Sequence, residues 1–145
     1  MTDFKTYTIT PDEKQKIISV IRDALETHDE VLFAYIFGSF ADENAQFFRD
    51  IDIGVYITDD WFSKKYSLDY SMNLSLEMEG LLKDYPVDAV VLNDAPLPLA
   101  FRVTQGILLF NKKETLWTDF VVKTWSLYHD HAISSRYVLE DIVTA

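Results

Sequence analysis

The sequence lacks cysteine altogether and has only three histidines among its 145 residues. Without cysteine the chain can form no disulfide, no cysteine-ligated zinc site and no thiol nucleophile. The absence is also compatible with a reducing compartment. So few histidines, two of them close together in the last part of the chain, argue against a histidine-rich metal site.

Long apolar runs are missing as well. No basic segment followed by an apolar stretch stands at the start, and the longest apolar runs are far shorter than the roughly 20 residues that cross a bilayer. We therefore expect a cytoplasmic protein with no membrane contact. The length and a hydrophobic content of 48% predict one domain over residues 1–145, with no room for a second substrate domain.

Basic residues are scarce, with 13 against 24 acidic ones and a net charge of −11. Proteins that bind nucleic acid neutralise its phosphates with lysine and arginine, so we expect no direct nucleic-acid partner and neither a polymerase nor a tRNA-tailing enzyme. An acidic surface suits a basic protein partner, which it would attract fastest at low salt. The simpler alternative is that the charge only keeps the protein soluble.

One stretch concentrates the residue types that carry chemistry. Residues 31–37 form a continuous run of aromatic and branched residues, which predicts a strand buried on both faces that ends at Gly38. Gly38 has no Cβ and can turn sharply, so a ligand can approach the backbone there. Ser39 offers an anion a hydroxyl and an amide, and a helix starting just after it would add its dipole.

A second strand is predicted over residues 50–57, where branched residues alternate with others. Asp50 and Asp52 then share one face of this strand, with Cα atoms about 7 Å apart. Two like charges so placed repel each other unless a cation lies between their oxygens. Mg²⁺ suits the pair because it prefers carboxylate oxygens and takes its other ligands from water and substrate phosphates. The alternative is a pair of solvated strand residues.

Three segments together resemble a known family. They are residues 36–41 (Ile-Phe-Gly-Ser-Phe-Ala), 50–55 (Asp-Ile-Asp-Ile-Gly-Val) and 86–92 (Pro-Val-Asp-Ala-Val-Val-Leu). Gly-Ser, ten residues and then Asp-x-Asp on a strand resembles the nucleotidyltransferase superfamily of DNA polymerase β. The resemblance is specifically to its minimal members, the MntA-like antitoxins of HEPN toxins. It implies an α/β fold with a small mixed sheet flanked by helices.

The resemblance also implies a site and a reaction. Asp50, Asp52 and Asp88 would be the catalytic and metal-binding carboxylates with Mg²⁺ as cofactor, while Gly38 and Ser39 would bind the β and γ phosphates of ATP. The reaction would transfer AMP from ATP to a tyrosine hydroxyl of a HEPN-domain toxin, which makes that toxin the partner and this protein an antitoxin. From the residues themselves, Asp88 is a lone acid in an apolar strand, costly if buried without a partner or metal. The alternative is an exposed acid at the end of that strand.

The sequence departs from the family pattern at one place. Minimal members usually read Gly-Ser-x-Ala-Arg-Gly, whereas Asp42 and Glu43 stand where Arg-Gly is expected. This removes a cation and a flexible hinge near a site for a triphosphate. A rival hypothesis is therefore a binding module that neutralises a protein partner by occlusion, with weak or no catalysis. Small-molecule transfer is a further alternative, but the sequence lacks the extra substrate domain usual there.

The remaining pattern predicts the elements around the site. Thr10, Pro11 and Glu13 indicate the start of a helix that continues to about residue 27. The last predicted helix, from about 114 to 144, is longer than covering a small sheet requires, so we expect it to contact a partner or a second copy of the chain. The other predicted elements are helices over 67–85 and 96–105, a short helix within 41–49, strands over 87–92 and 107–110, and an irregular connection over 61–66.

Overall fold

The structure is a computed structural model that describes the backbone of residues 5–64 and 67–144 and the side chains of residues 5–62 and 69–131. Five helices and four strands are interspersed along the described chain. Their order is α1 (Pro11–Glu26), β1 (Val31–Phe37), β2 (Ile51–Ile57), α2 (Asp59–Lys64), α3 (Ser67–Leu82), β3 (Val87–Val91), α4 (Leu97–Thr104), β4 (Ile107–Asn111) and α5 (Glu114–Thr144).

The strands form one mixed sheet in the order β3-β2-β1-β4. Strands β2 and β3 run parallel, while β1 is antiparallel to both β2 and β4. Apolar residues of α1 and α3 pack on one face of the sheet, and those of α4 and α5 pack on the other. A small mixed sheet covered by helices on both faces confirms the predicted α/β fold.

The position of β1 explains its uninterrupted apolar sequence. Phe33, Tyr35 and Phe37 belong to the cluster under α4 and α5, whereas Ala34 and Ile36 belong to the cluster under α1 and α3. All five side chains are buried. A strand covered on both faces has no position at which a polar side chain would reach water, so every residue is apolar or aromatic.

Local signals fix the ends of two helices. At the start of α1 the Oγ1 of Thr10 accepts a hydrogen bond from the N–H of Glu13 at 3.2 Å, and Pro11 occupies the first turn. At the end of α3 the N–H of Lys83 still donates to the carbonyl of Glu79, but Lys83 adopts a φ of +68°. This left-handed residue ends the helix before residue 85, where the sequence predicted its end.

The predicted short helix within residues 41–49 is wrong, because that segment forms turns. The N–H of Asp42 donates to the carbonyl of Ser39, three residues back, at 3.2 Å. The Oδ1 of Asp42 then accepts from the N–H of Asn44 at 2.9 Å, and such side-chain bonds compete with helix formation. In the described chain no helix starts directly after Ser39, so no helix dipole acts there.

The predicted connection over residues 61–66 is also corrected, since α2 occupies most of it. Asp59 and Asp60 lie in the first turn of α2, where acidic side chains interact favourably with the helix dipole. The N–H of Phe62 donates to the carbonyl of Thr58 at 3.0 Å. Residues 65–66 lie outside the described part of the chain.

The first half of α5 is tied to the sheet. The indole N–H of Trp117 donates to the hydroxyl of Tyr35 at 2.7 Å, and the rings of Phe120 and Tyr56 meet edge to face at 5.7 Å. The expected contact of this helix with a partner falls partly on residues 132–144, whose side chains lie outside the described part. None of the described helices combines the length and apolar character of a membrane span.

Candidate functional site

Strand register places Asp52 at the centre of the candidate site. In the antiparallel β1–β2 pair Asp52 lies opposite Phe37, and in the parallel β2–β3 pair it lies opposite Asp88. Asp50 comes directly before β2. Carboxylate oxygens of Asp50, Asp52 and Asp88, one from each, all lie within 4.8 Å of one another. The structure therefore brings together the three acids that the sequence singled out.

The chemistry and spacing of this cluster fit a hard divalent cation. Such an ion binds oxygen ligands at about 2.0–2.6 Å, so two ligand oxygens on one ion lie no more than about 4–5 Å apart. Asp50 and Asp52 are half-buried and Asp88 is exposed, so the cluster opens to solvent beside Asp88. A donor set of carboxylates with an open side would hold Mg²⁺ and leave positions for substrate oxygens.

The electrostatics of the cluster also favour a bound cation. The pKa of Asp52 is raised to about 6, first because burial disfavours the charged form and then because Asp50 and Asp88 repel it, while Arg102 acts in the opposite direction. The pKa of Asp88 is also raised, by partial loss of solvent and by the charge of Asp50. Carboxylates that perturb each other in an open site make a candidate functional site, and a cation would relieve their repulsion.

The two residues predicted to bind phosphate border different cavities. Gly38, with a φ of +78°, lies against Asp52, and a Cβ added to it would overlap the Oδ2 of that residue. Ser39 is exposed and lines a cavity of ≈ 430 Å³ between the start of α1 and the turns that follow β1. Gly38 borders a second cavity, of ≈ 500 Å³. Gly38 and Ser39 thus border two different cavities, and the one at Gly38 adjoins the acids through the contact of that glycine with Asp52.

The cavity at Gly38 contains the residues of the altered motif. Asp42 and Glu43 are both exposed and both lie in its wall. The pair that replaces Arg-Gly therefore lies on the same cavity as the glycine next to the central acid. The complete wall consists of Gly38, Ala41, Asp42, Glu43, Asn44, Arg102, Gln105 and Gly106.

Sequence reasoning missed Arg102. This residue lies in the last turn of α4, and its guanidinium carbon is 5.3 Å from the centroid of the Phe37 ring. Its charge partly offsets the rise in the pKa of Asp52. One signal could have found it, because Arg102 is the only basic residue between Lys83 and Lys112. A lone arginine in a long stretch of mainly acidic and apolar residues is a candidate for a position near the acids.

With this geometry in place, comparison with known proteins identifies the class. The polymerase beta nucleotidyltransferase family profile matches residues 19–115, a span that includes the three carboxylates and the glycine turn. The chain therefore belongs to the polymerase beta nucleotidyltransferase family. The match ends where α5 begins. No curated protein sequence matches the chain.

Similar solved structures come from toxin–antitoxin pairs. A chain of the MntA–HepT toxin–antitoxin structure is 28% identical, with 94% of this chain and 100% of that chain covered and a TM-score of 0.60. A chain from the tri-AMPylated Shewanella oneidensis HEPN toxin in complex with MNT antitoxin is 30% identical, with coverage of 91% and 96% and a TM-score of 0.59. A chain from a toxin–antitoxin structure with AMP-PNP is 30% identical, with coverage of 91% and 98% and a TM-score of 0.60.

Proposed function

We propose that this protein is a Mg²⁺-dependent nucleotidyltransferase that transfers AMP from ATP to a tyrosine hydroxyl of a HEPN-domain toxin, and so acts as a cytoplasmic antitoxin. The observation that carries the proposal is the cluster of Asp50, Asp52 and Asp88. Membership of the polymerase beta nucleotidyltransferase family supports the reaction class. Nucleotide and partner are inferred from two similar structures, one with AMP-PNP and one with a tri-AMPylated HEPN toxin bound to an MNT antitoxin.

The three acids would have different roles, according to their positions in the cluster. Asp50 and Asp52 would hold Mg²⁺ against the triphosphate, and Asp88 would share a second ion at the open side of the cluster. Bound Mg²⁺ neutralises phosphate charge and lowers the pKa of an acceptor hydroxyl. The backbone at Gly38 and the hydroxyl of Ser39 would donate hydrogen bonds to the β and γ phosphates.

The transfer needs no reactant besides ATP and the acceptor hydroxyl. The acceptor oxygen forms a bond to the α-phosphorus, the bond from that phosphorus to the oxygen bridging to the β-phosphate breaks, and pyrophosphate leaves. The hydroxyl proton passes to Asp88. Asp88 suits this role because it is the exposed member of the cluster, on the side where an acceptor hydroxyl can approach.

One observation favours the rival function, neutralisation by binding alone. Asp42 and Glu43 place two carboxylates on the wall of the cavity at Gly38, where they would repel an incoming triphosphate. A member of the family with a weakened nucleotide site could still cover a toxin surface. The rival needs the fold and the partner surface but not the three acids.

A transfer assay separates the two functions. The wild-type protein and the Asp52→Asn variant are each incubated with the cognate HEPN toxin, ATP and Mg²⁺, and the toxin is then weighed by mass spectrometry. The wild type should add one or more AMP units to the toxin, and Asp52→Asn should add none. Removing one ligand of the metal site affects turnover far more than partner binding, so both variants should still capture the toxin in a pull-down.

The assay can also overturn the proposal. If wild type and Asp52→Asn neutralise the toxin equally, with no mass change in either sample, binding alone is the function. Arg22→Gln serves as the control for unspecific effects of a substitution, since Arg22 lies on α1 in an exposed ion pair with Asp23.

A further inference from the structure

The cavity beside Gly38 contains one basic side chain among the described residues of its wall, that of Arg102. Asp42 and Glu43 lie in the same wall, so a triphosphate entering the cavity meets two carboxylates. Such a site needs a cation from elsewhere to bind phosphate. Arg102 is supplied by α4, which follows β3 in the chain and is remote in sequence from the Gly-Ser turn.

Packing fixes the turn that carries Arg102. Val103 is fully buried and lies so close to β2 that a Cβ on Gly54 would be 2.9 Å from its Cγ1. On the other side of the turn, a Cβ on Gly106 would be 2.9 Å from the Cα of Phe37. The end of α4 therefore presses on the end of β1, next to Gly38. Arg102 is held at the cavity by the backbone around it.

The guanidinium of Arg102 is itself positioned. Its carbon lies 5.3 Å from the centroid of the Phe37 ring, a cation–π distance. It is close enough to Asp52 for its charge to offset part of the rise in the pKa of that carboxyl. In the described part of the chain, however, no carboxylate forms an ion pair with Arg102 within 4.0 Å. Its planar set of N–H donors therefore remains available to phosphate oxygens.

We propose that Arg102 binds the β and γ phosphates of the nucleoside triphosphate and takes the place of the arginine absent at positions 42–43. The inference rests on the proposed function, because it names the residue that holds the triphosphate of that reaction. Arg102 is a binding residue that makes the cavity at Gly38 prefer a polyphosphate to a monophosphate.

Calorimetric binding of three ligands tests the assignment. Mg-ATP, AMP and Mg²⁺ alone are titrated into wild type, Arg102→Gln and Arg102→Lys. Lys123→Gln is the matched control, because Lys123 is an exposed residue of α5 on the wall of a separate cavity and its loss changes the net charge equally. The control should bind all three ligands as the wild type does.

We expect Arg102→Gln to weaken Mg-ATP binding roughly 10- to 100-fold, the usual effect of losing charge-assisted hydrogen bonds, and to change AMP binding less than about two-fold. Arg102→Lys should be intermediate, since lysine keeps the charge but not the planar fork of donors. Mg²⁺ alone should bind Arg102→Gln as tightly as wild type or more tightly, because a cation near Asp52 has been removed.

Three results would overturn the assignment. Unchanged Mg-ATP binding by Arg102→Gln would overturn it while leaving the proposed function intact, since the wild type would still bind nucleotide. Parallel weakening of Mg-ATP, AMP and Mg²⁺ would show that Arg102 only supports Asp52 or the fold. No Mg-ATP binding by the wild type would overturn both the assignment and the proposed function. If Arg102→Gln fails to fold, Arg102→Lys carries the same comparison.

Discussion

Gly38 and Asp52 lie so close together that a Cβ on Gly38 would overlap the Oδ2 of Asp52. Gly38 also has a φ of +78°, in the left-handed region that favours glycine. Two independent constraints therefore act at one position, one from the backbone and one from the neighbouring carboxylate. The glycine allows the turn after β1 to lie directly against the central acid of the site.

Gly38→Ala should be destabilising and should also disturb the site. The strained backbone at this position costs on the order of 1–3 kcal/mol of unfolding free energy. Because the added methyl group displaces the Asp52 carboxylate, Mg-ATP should stabilise the variant much less than it stabilises the wild type. Urea denaturation of both proteins, with and without Mg-ATP, measures the two effects.

The chain offers a matched control for that substitution. Gly80 lies in α3, is exposed, and would have nothing within 4 Å of an added Cβ. Gly80→Ala should stabilise the protein by up to about 1 kcal/mol, since alanine favours helix, and should leave the Mg-ATP effect unchanged. A Gly38→Ala variant that responds to Mg-ATP as the wild type does would contradict the role assigned to the glycine.

Mg-ATP itself should stabilise the wild-type fold. A ligand that binds only the native state raises the unfolding free energy by about 2.7 kcal/mol at a hundred times its dissociation constant. The Asp50→Asn/Asp52→Asn double variant should lose this gain. Without ligand it should be at least as stable as the wild type, because the repulsion between the two acids is gone. Thermal melts that show no Mg-ATP shift in the wild type would remove the support for a nucleotide site.

Local pattern was sufficient to predict the frame of the site. β1 spans Val31–Phe37, the range expected from its apolar run, because a strand covered on both faces leaves an unbroken signal. Asp50 and Asp52 were placed on one face by the two-residue period of a strand. Their approach to Asp88 depends on the pairing of β2 with β3, which the family resemblance implied and periodicity alone could not.

Long-range packing explains why the position of Arg102 could not be predicted from the sequence. Arg102 reaches the site because the turn at Gly106 presses on Phe37, a contact between segments far apart in the chain. No local pattern encodes that contact. The segment 41–49 forms turns and not the predicted helix because the side chain of Asp42, whose charge would favour a helix start, instead accepts a hydrogen bond from the N–H of Asn44.

The stability of the ligand-free protein should depend on the ionisation of Asp52. Its pKa is about 6 in the fold, above its ordinary value of 3.8, so the folded state binds this proton more tightly than the unfolded state. The stabilising contribution is therefore fully present below about pH 4 and is lost as the pH rises through about 6. Full conversion of the raised pKa would give about 3 kcal/mol, and solvent screening of this half-buried carboxylate reduces the expected loss to on the order of 1–2 kcal/mol.

Asp52→Asn isolates that contribution because it cannot titrate. The unfolding free energy of the wild type should fall relative to that of the variant between about pH 4 and 7, and the difference should then level off. Mg²⁺ should reduce the fall, since a bound cation favours the carboxylate. Parallel pH curves for the two proteins in urea denaturation would show that Asp52 is not perturbed.

The charges of Asp42 and Glu43 should lower the affinity of the cavity at Gly38 for a triphosphate. If these acids repel the triphosphate, Asp42→Asn/Glu43→Gln should tighten Mg-ATP binding about 2- to 10-fold at low ionic strength and much less at 1 M salt, where the Debye length falls to about 3 Å. The asparagine keeps an oxygen that can accept from the N–H of Asn44, so the turn should persist. Titration calorimetry at two salt concentrations measures the change.

Glu114→Gln/Asp119→Asn provides the control, because it removes two exposed acids of α5 and changes the net charge by the same amount. It should leave Mg-ATP affinity unchanged at both salt concentrations. Equal tightening in the two double variants would assign the effect to net charge. No tightening in Asp42→Asn/Glu43→Gln would mean that the acids face away from the phosphates, and that the altered motif serves the turn at Asp42 and not the nucleotide.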